Sequence, residues 1–245
     1  MAFPAVQLSK RPLHFIYLCD CSGSMAAHGK IQALNHAIRQ SLPGMAAVAR
    51  DNPEAELLVR AISFADHANW HLATPTAIEN LQWQDLQAHG LTAMGQALEL
   101  LSESLKTPPM EIRALPPVLV LISDGQPTDD FESGLARLMT NPWAQKAVRL
   151  SIAIGHEADL DVLQQFIGSP LATTTEESML LRPLQASNAS SLAHYIEWAA
   201  TTVVGATSQP ISMLEGRNCW GNVGIVEIPP TIFAEDDVIA ETVIW

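Results

Sequence analysis

Residues 13–25 read LHFIYLCDCSGSM: seven mostly apolar residues, then an aspartate, then two serines separated by a glycine. A short continuous apolar run of this kind reads as a strand buried on both faces, as in the middle of a parallel sheet. Its ending on Asp20, Ser22 and Ser24 has two explanations. The short polar side chains cap the helix that follows. Alternatively, three oxygens that alternate along extended or turning backbone face one way and hold a ligand. Gly23 permits the tight turn between the serines.

Comparable apolar runs recur at 55–64 (AELLVRAISF), 116–123 (PPVLVLIS), 148–155 (VRLSIAIG) and 178–184 (SMLLRPL). Between them Ile31, Leu34, Ile38 and Leu42 repeat at helical spacing, as do Met94, Ala97, Leu98, Leu101 and Leu105, and later Leu192, Tyr195, Ile196, Ala199 and Val203. Pro108-Pro109 and Pro116-Pro117 bracket the passage from one helix into the next strand. Strands alternating with helices predict an α/β chain, a doubly wound, mostly parallel open sheet flanked by helices in a Rossmann-like arrangement, with its ligand site at the carboxyl ends of the strands. NWHLA at 69–73 is expected as a short edge strand antiparallel to the second. The expected division is an N-terminal extension (1–11), one domain (12–208) and a non-helical C-terminal tail (209–245).

With 48% hydrophobic residues the chain of 245 residues has ample material for a large core. A formal net charge of −13 argues against nucleic acid or anionic membrane as a partner. No secretory signal is visible, and no stretch approaches the roughly 18–20 apolar residues of a membrane span. Three cysteines at unhelpful spacing suggest a reduced, cytoplasmic protein.

If the strand ends converge, Asp20, Ser22 and Ser24 meet Asp124 of LISDGQPTDD and Thr92 of HGLTAMGQAL. Two carboxylates and three hydroxyls, without imidazole or thiolate, suit Mg²⁺ or Mn²⁺ and suit zinc poorly. Helix and turn capping by Ser24, Thr92 and Asp124 is the competing account.

Taken together, DCSGSM…KIQALNHAI, GLTAMGQALELL and SDGQPTDD resemble the von Willebrand factor A (VWA) domain with its metal-ion-dependent adhesion site. The resemblance implies that Asp20, Ser22, Ser24, Thr92 and Asp124 are the five site residues. In KIQALNHAI, DGQPTDD and AIGHEADLDVLQQF the chain is similar to the bacterial tellurite-resistance-associated (TerY-like) branch, over roughly residues 12 to 208. That branch implies a serine/threonine kinase and a PP2C-type phosphatase as partners, in stress or tellurite-resistance signalling. The cysteine-rich zinc tail of some relatives does not carry over, since Cys219 stands alone there.

An ion held mainly by neutral hydroxyls keeps much of its charge, and gains from an Asp or Glu supplied by a partner protein. The chain's negative field is screened beyond roughly 8 Å. This describes a binding module and not an enzyme. A VWA adaptor of a MoxR-type AAA+ ATPase is the alternative, and a metal-dependent phosphohydrolase a third reading. GSMAAHGKI lacks the spacing of a phosphate loop, and the acid that an aspartate-nucleophile phosphatase needs two residues after Asp20 is Ser22. His67 and His71 lack the glutamate of a zinc-protease helix.

His28, His89 and His156 fall near strand ends, as exposed loop residues or as a partner-facing rim. Asp129 and Asp130 precede a helical pattern, as N-terminal caps or rim residues. In the tail, NVGIVEI is expected to add an edge strand, with Trp220 and Trp245 as candidate docking anchors.

Overall fold

The computed structural model describes residues 10–124, 126–168 and 182–205. Its sheet has six strands in the order β3-β2-β1-β4-β5-β6, all parallel except β3. β1 (Arg11–Asp20) leads through a 3₁₀ segment (Gly23–Gly29) into α1 (Lys30–Asp51). β2 (Ala55–Phe64) turns into β3 (Ala68–Ala77) on the outer edge, and a long connection reaches α2 (Met94–Ser104) and β4 (Val118–Ser123). There follow α3 (Phe131–Met139), α4 (Pro142–Lys146), β5 (Val148–Ile154), α5 (Leu160–Ile167), β6 (Leu184–Ala186) and α6 (Ala189–Trp198), which runs on into a π turn (Ala199–Val203).

The central strands form because their residues have no polar face to offer. β4, VLVLIS, is buried at every position, and β1 is buried from Leu13 to its end. Each large side chain so buried contributes about 1.5–3 kcal/mol. The two-residue alternation of β1 splits the core into two layers. Phe15, Tyr17 and Cys19 pack with Leu34, Ile38, Leu192 and Ile196 of α1 and α6. Ile16 and Leu18 pack on the other face with Leu98, Leu101, Phe131 and Phe166 of α2, α3 and α5.

The antiparallel edge strand expected around NWHLA is present and longer, ten residues paired to β2 through an irregular register. Pro75 lies in this edge strand, the place in a sheet where a missing N–H is tolerated. The last strand begins at Leu184, where the predicted SMLLRPL run ends, and most of that run lies outside the described residues. So do residues 1–9 and the tail from 206, including NVGIVEI, Trp220 and Trp245. Among the described residues, no helix is long and apolar enough to cross a membrane.

The direction of winding reverses at β1. The chain leaves it for β2 on one side and later returns to its other side as β4. At such a switch point the loops leaving adjacent strands part, and a crevice opens at the carboxyl edge. Asp20 ends β1 there, and Ser123-Asp124 ends β4.

Candidate metal centre

Cys19 pairs with Ile122, so the next residue of each strand, Asp20 and Ser123, stand side by side. Asp20 is fully buried (0% exposed), and its carboxylate is held by local donors. The Ser22 N–H donates to Oδ1 at 2.8 Å, and the Ser123 hydroxyl donates to Oδ2. The Ser22 and Ser24 hydroxyls lie 2.9 Å apart, the first buried and the second exposed. Burial pushes the Asp20 carboxyl up to about 6; the Ser123 and Ser22 bonds pull it down, and the nearby Asp124 charge raises it again. A carboxylate placed to feel another carboxylate in a dry crevice is stabilised by a cation.

Thr92 reaches this edge on the loop before α2. That loop is tied to the loop after β1 by His89 N–H to Cys21 C=O (2.7 Å) and Gly23 N–H to Gly90 C=O (3.0 Å). Gly90 is left-handed (φ +66°), and a Cβ there would fall 2.3 Å from Asp66 Oδ2, so the turn needs glycine. Thr92 itself is buried and exchanges hydrogen bonds with Thr128. Its N–H donates to Thr128 Oγ1 (3.0 Å), and the Thr128 N–H donates to the Thr92 C=O (2.9 Å). Asp124 is buried, its C=O accepting the Asp159 N–H at 3.1 Å.

Helix capping does not explain Ser24 or Thr92. α1 starts at Lys30, after the 3₁₀ segment, with left-handed Gly29 (φ 73°) at its N-cap position. The N-cap position of α2 is Ala93, which has no capping oxygen. Two of the N–H groups that every helix leaves unpaired there, those of Gly95 and Gln96, donate to Asp129 at 2.8 and 2.9 Å. Asp130, in turn, caps α3 by accepting the Ser133 N–H at 3.0 Å. Of the two aspartates expected to serve the helix that follows them, only Asp130 does so.

Hydrogen bonds join Asp20 to Ser22 and Ser22 to Ser24, Asp124 lies near enough for its charge to act on Asp20, and Thr92 stands on a loop bonded to both of theirs; all five offer oxygen donors. Among the described residues, no three His, Cys, Asp or Glu side chains converge as a metal cluster, so an ion here would depend on hydroxyls beside the two carboxylates. That donor set fits Mg²⁺ or Mn²⁺. A hollow of about 410 Å³ beside α1, lined by Ala26, Ile31, Asn35 and Leu86 among others, includes none of the five. His28, His89 and His156 are exposed on three separate loops of this edge. Sequence reasoning missed Ser123 and Thr128. A lone serine closing an apolar run ahead of an aspartate was the available sign of the first.

No family model and no curated protein matches the chain by sequence. Solved structures do resemble it. The ArnB paralog VWA2 from Sulfolobus acidocaldarius is 17% identical with a TM-score of 0.53, over 78% of this chain and 45% of that one. A von Willebrand factor type A protein from Catenulispora acidiphila is 17% identical with a TM-score of 0.52, over 79% and 42%. The pilus adhesin SpaC from Lactobacillus rhamnosus GG is 13% identical with a TM-score of 0.57, over 79% and 30%. The chain spans less than half the length of each. Strand order, switch point and these likenesses agree: the chain has a von Willebrand factor A-like fold.

Proposed function

We propose that this chain is a cation-dependent protein-binding module, acting through a metal-ion-dependent adhesion site built from Asp20, Ser22, Ser24, Thr92 and Asp124. The observation that carries the reading is the gathering of buried Asp20 with the Ser22, Ser24 and Ser123 hydroxyls and Asp124 at the sheet's switch point. Mg²⁺ or Mn²⁺ held there would supply an oxygen-seeking position for an Asp or Glu of the partner. The chain's own part is to keep Asp20 ionised and aligned, through the Ser22 N–H and the Ser123 hydroxyl, and to keep bulk water from its carboxylate. Asp20 is served by hydroxyl and amide donors, with Ser22 where a phosphatase would carry its acid, so the role is binding and not catalysis.

The surrounding surface narrows the partner. The loops 20–29, 65–67, 87–93, 124–131 and 155–161 contain neither Lys nor Arg. They carry Asp66, Asp129, Asp130, Glu157, Asp159 and Asp161 besides the two site carboxylates. Leu91, next to Thr92, is 59% exposed, and Leu160, next to Asp159, is 40% exposed. The complementary surface presents one carboxylate among apolar and basic groups. Similarity to the tellurite-resistance-associated branch supports a cytoplasmic serine/threonine kinase and a PP2C-type phosphatase as the proteins that carry it, in bacterial stress signalling.

Calorimetry with Mg²⁺ and Mn²⁺ on the full chain tests the site. Binding by the unmodified chain and none by a folded Asp20→Ala variant is expected; a clear preference for Zn²⁺ would sink the oxygen-donor reading. Retention of purified kinase or phosphatase that is lost on adding EDTA tests the partner.

A further inference from the structure

Residues 128 and 129 do more than cap. Thr128 and Thr92 exchange two hydrogen bonds, 3.0 and 2.9 Å, and Asp129 closes on the Gly95 and Gln96 N–H groups at 2.8 and 2.9 Å. These four bonds join the loop after β4 to Thr92 and to the first turn of α2. The stretch LTAM has no capping oxygen at position 93, so the N-terminus of α2 is served by a carboxylate from the loop after β4. The helices are seated equally closely. A Cβ on Gly95 would lie 2.4 Å from the Asp130 C=O, and one on Gly134 would lie 2.5 Å from the Gly95 C=O. Little freedom remains for Thr92 to move without residues 126–130.

We propose that Thr128 and Asp129 are positioning residues of the cation site: they fix where the Thr92 hydroxyl stands relative to Asp124, and neither is itself a ligand. This rests on the reading of Asp20, Ser22, Ser24, Thr92 and Asp124 as the cation's donors. It follows that Thr128 and Asp129 influence the ion only through Thr92. Loosening the clamp costs affinity while the Thr92 hydroxyl is present, and costs nothing further once that hydroxyl is gone.

A double-mutant cycle separates this from a general structural role. Mn²⁺ affinity is measured by calorimetry on the full chain for Thr92→Ala, Thr128→Val, Thr128→Ser and Asp129→Ala, and for Thr128→Val and Asp129→Ala in the Thr92→Ala background. Thr128→Val and Asp129→Ala are each expected to lower affinity about tenfold, the usual scale for a group that orients a ligand. Thr128→Ser, which keeps the acceptor oxygen, retains affinity, and in the Thr92→Ala background neither substitution lowers it further. Thr128 is exposed, so Thr128→Val supplies a folded test if Asp129→Ala melts early. Equal losses in both backgrounds, or full affinity in Thr128→Val or in Thr92→Ala, would overturn the proposal. If Asp20→Ala binds Mn²⁺ as the unmodified chain does, the site reading itself fails, a distinct result.

Discussion

Ser123 donates its hydroxyl hydrogen to Asp20 across the seam between β4 and β1, inside the sheet's carboxyl edge. A donor aimed at a buried carboxylate favours its charged form, and hydrogen bonds to charged groups contribute about 1.5–3 kcal/mol. Ser123→Ala is therefore expected to make Asp20 harder to ionise. The pH midpoint of Mn²⁺ binding should rise by roughly one unit, with little change in affinity at pH 8. A pH series of Mn²⁺ titrations checks this, and an unmoved midpoint would show that the bond leaves the carboxylate's ionisation alone.

Asp20 also sets a pH dependence for the metal-free fold. Burial, above all, pushes its carboxyl up to about 6, against 3.8 for the ordinary side chain. Between those values the folded chain binds more protons than the unfolded chain, so this group's contribution is full at acid pH and is lost as pH rises toward 6. Asn at position 20 mimics the protonated form. In EDTA, Asp20→Asn should match the unmodified chain near pH 4 and exceed its stability by roughly 3 kcal/mol above pH 7. Chemical denaturation across that range measures the gap, and added Mg²⁺ should narrow it for the unmodified chain only.

Gly134 tests the close seating of α2 on α3. Its missing side chain leaves room for backbone, with the Gly95 C=O 2.5 Å and the Gly95 Cα 2.8 Å from where a Cβ would sit. Backbone on both sides cannot step aside like a flexible side chain. Gly134→Ala should cost about 1–3 kcal/mol in urea unfolding, and should weaken Mn²⁺ binding because Thr92 is carried at the head of α2.

Asn35 holds the long connection that leads to Thr92. Buried on α1, it donates to the Leu86 C=O (2.9 Å) and accepts from the Leu86 N–H (2.8 Å) and Trp83 Nε1 (3.1 Å). Asn35→Leu keeps the branched side-chain skeleton and strands three polar groups, each costing about 1–3 kcal/mol when buried unpaired. A fall in melting temperature, with Trp83 fluorescence shifted to the red, is expected. An unchanged melt would mean that water replaces the amide.

The strands were legible because burial on both faces leaves a local signature. AELLVRAISF became β2 residue for residue, and LHFIYLC fell within β1. The place of the candidate site was legible for the same reason, since switch-point geometry turns the residues after two such strands into neighbours. Contacts made by polar side chains between loops were not. Asp129 stands directly before the helix pattern it was expected to cap, yet its carboxylate turns to a helix formed over thirty residues earlier. Nothing local distinguishes those two destinations; only the packing of Gly95 against Asp130 does. The 3₁₀ segment was hidden similarly, because His28 and Gly29 take left-handed backbone that the helical spacing of Ile31 and Leu34 does not reveal.

Cys19 and Cys21 flank Asp20 in the chain, both buried, with their thiols held protonated chiefly by that burial. They make the strand end its own clock. A thiol reagent reaches them only when the end of β1 or the turn after it opens, so in a Cys219→Ser background their labelling rate times the opening of the candidate cation site. Mn²⁺ that binds between these strand ends should slow that clock, and a mutation that frees the Thr92 loop should quicken it, without any partner in the tube.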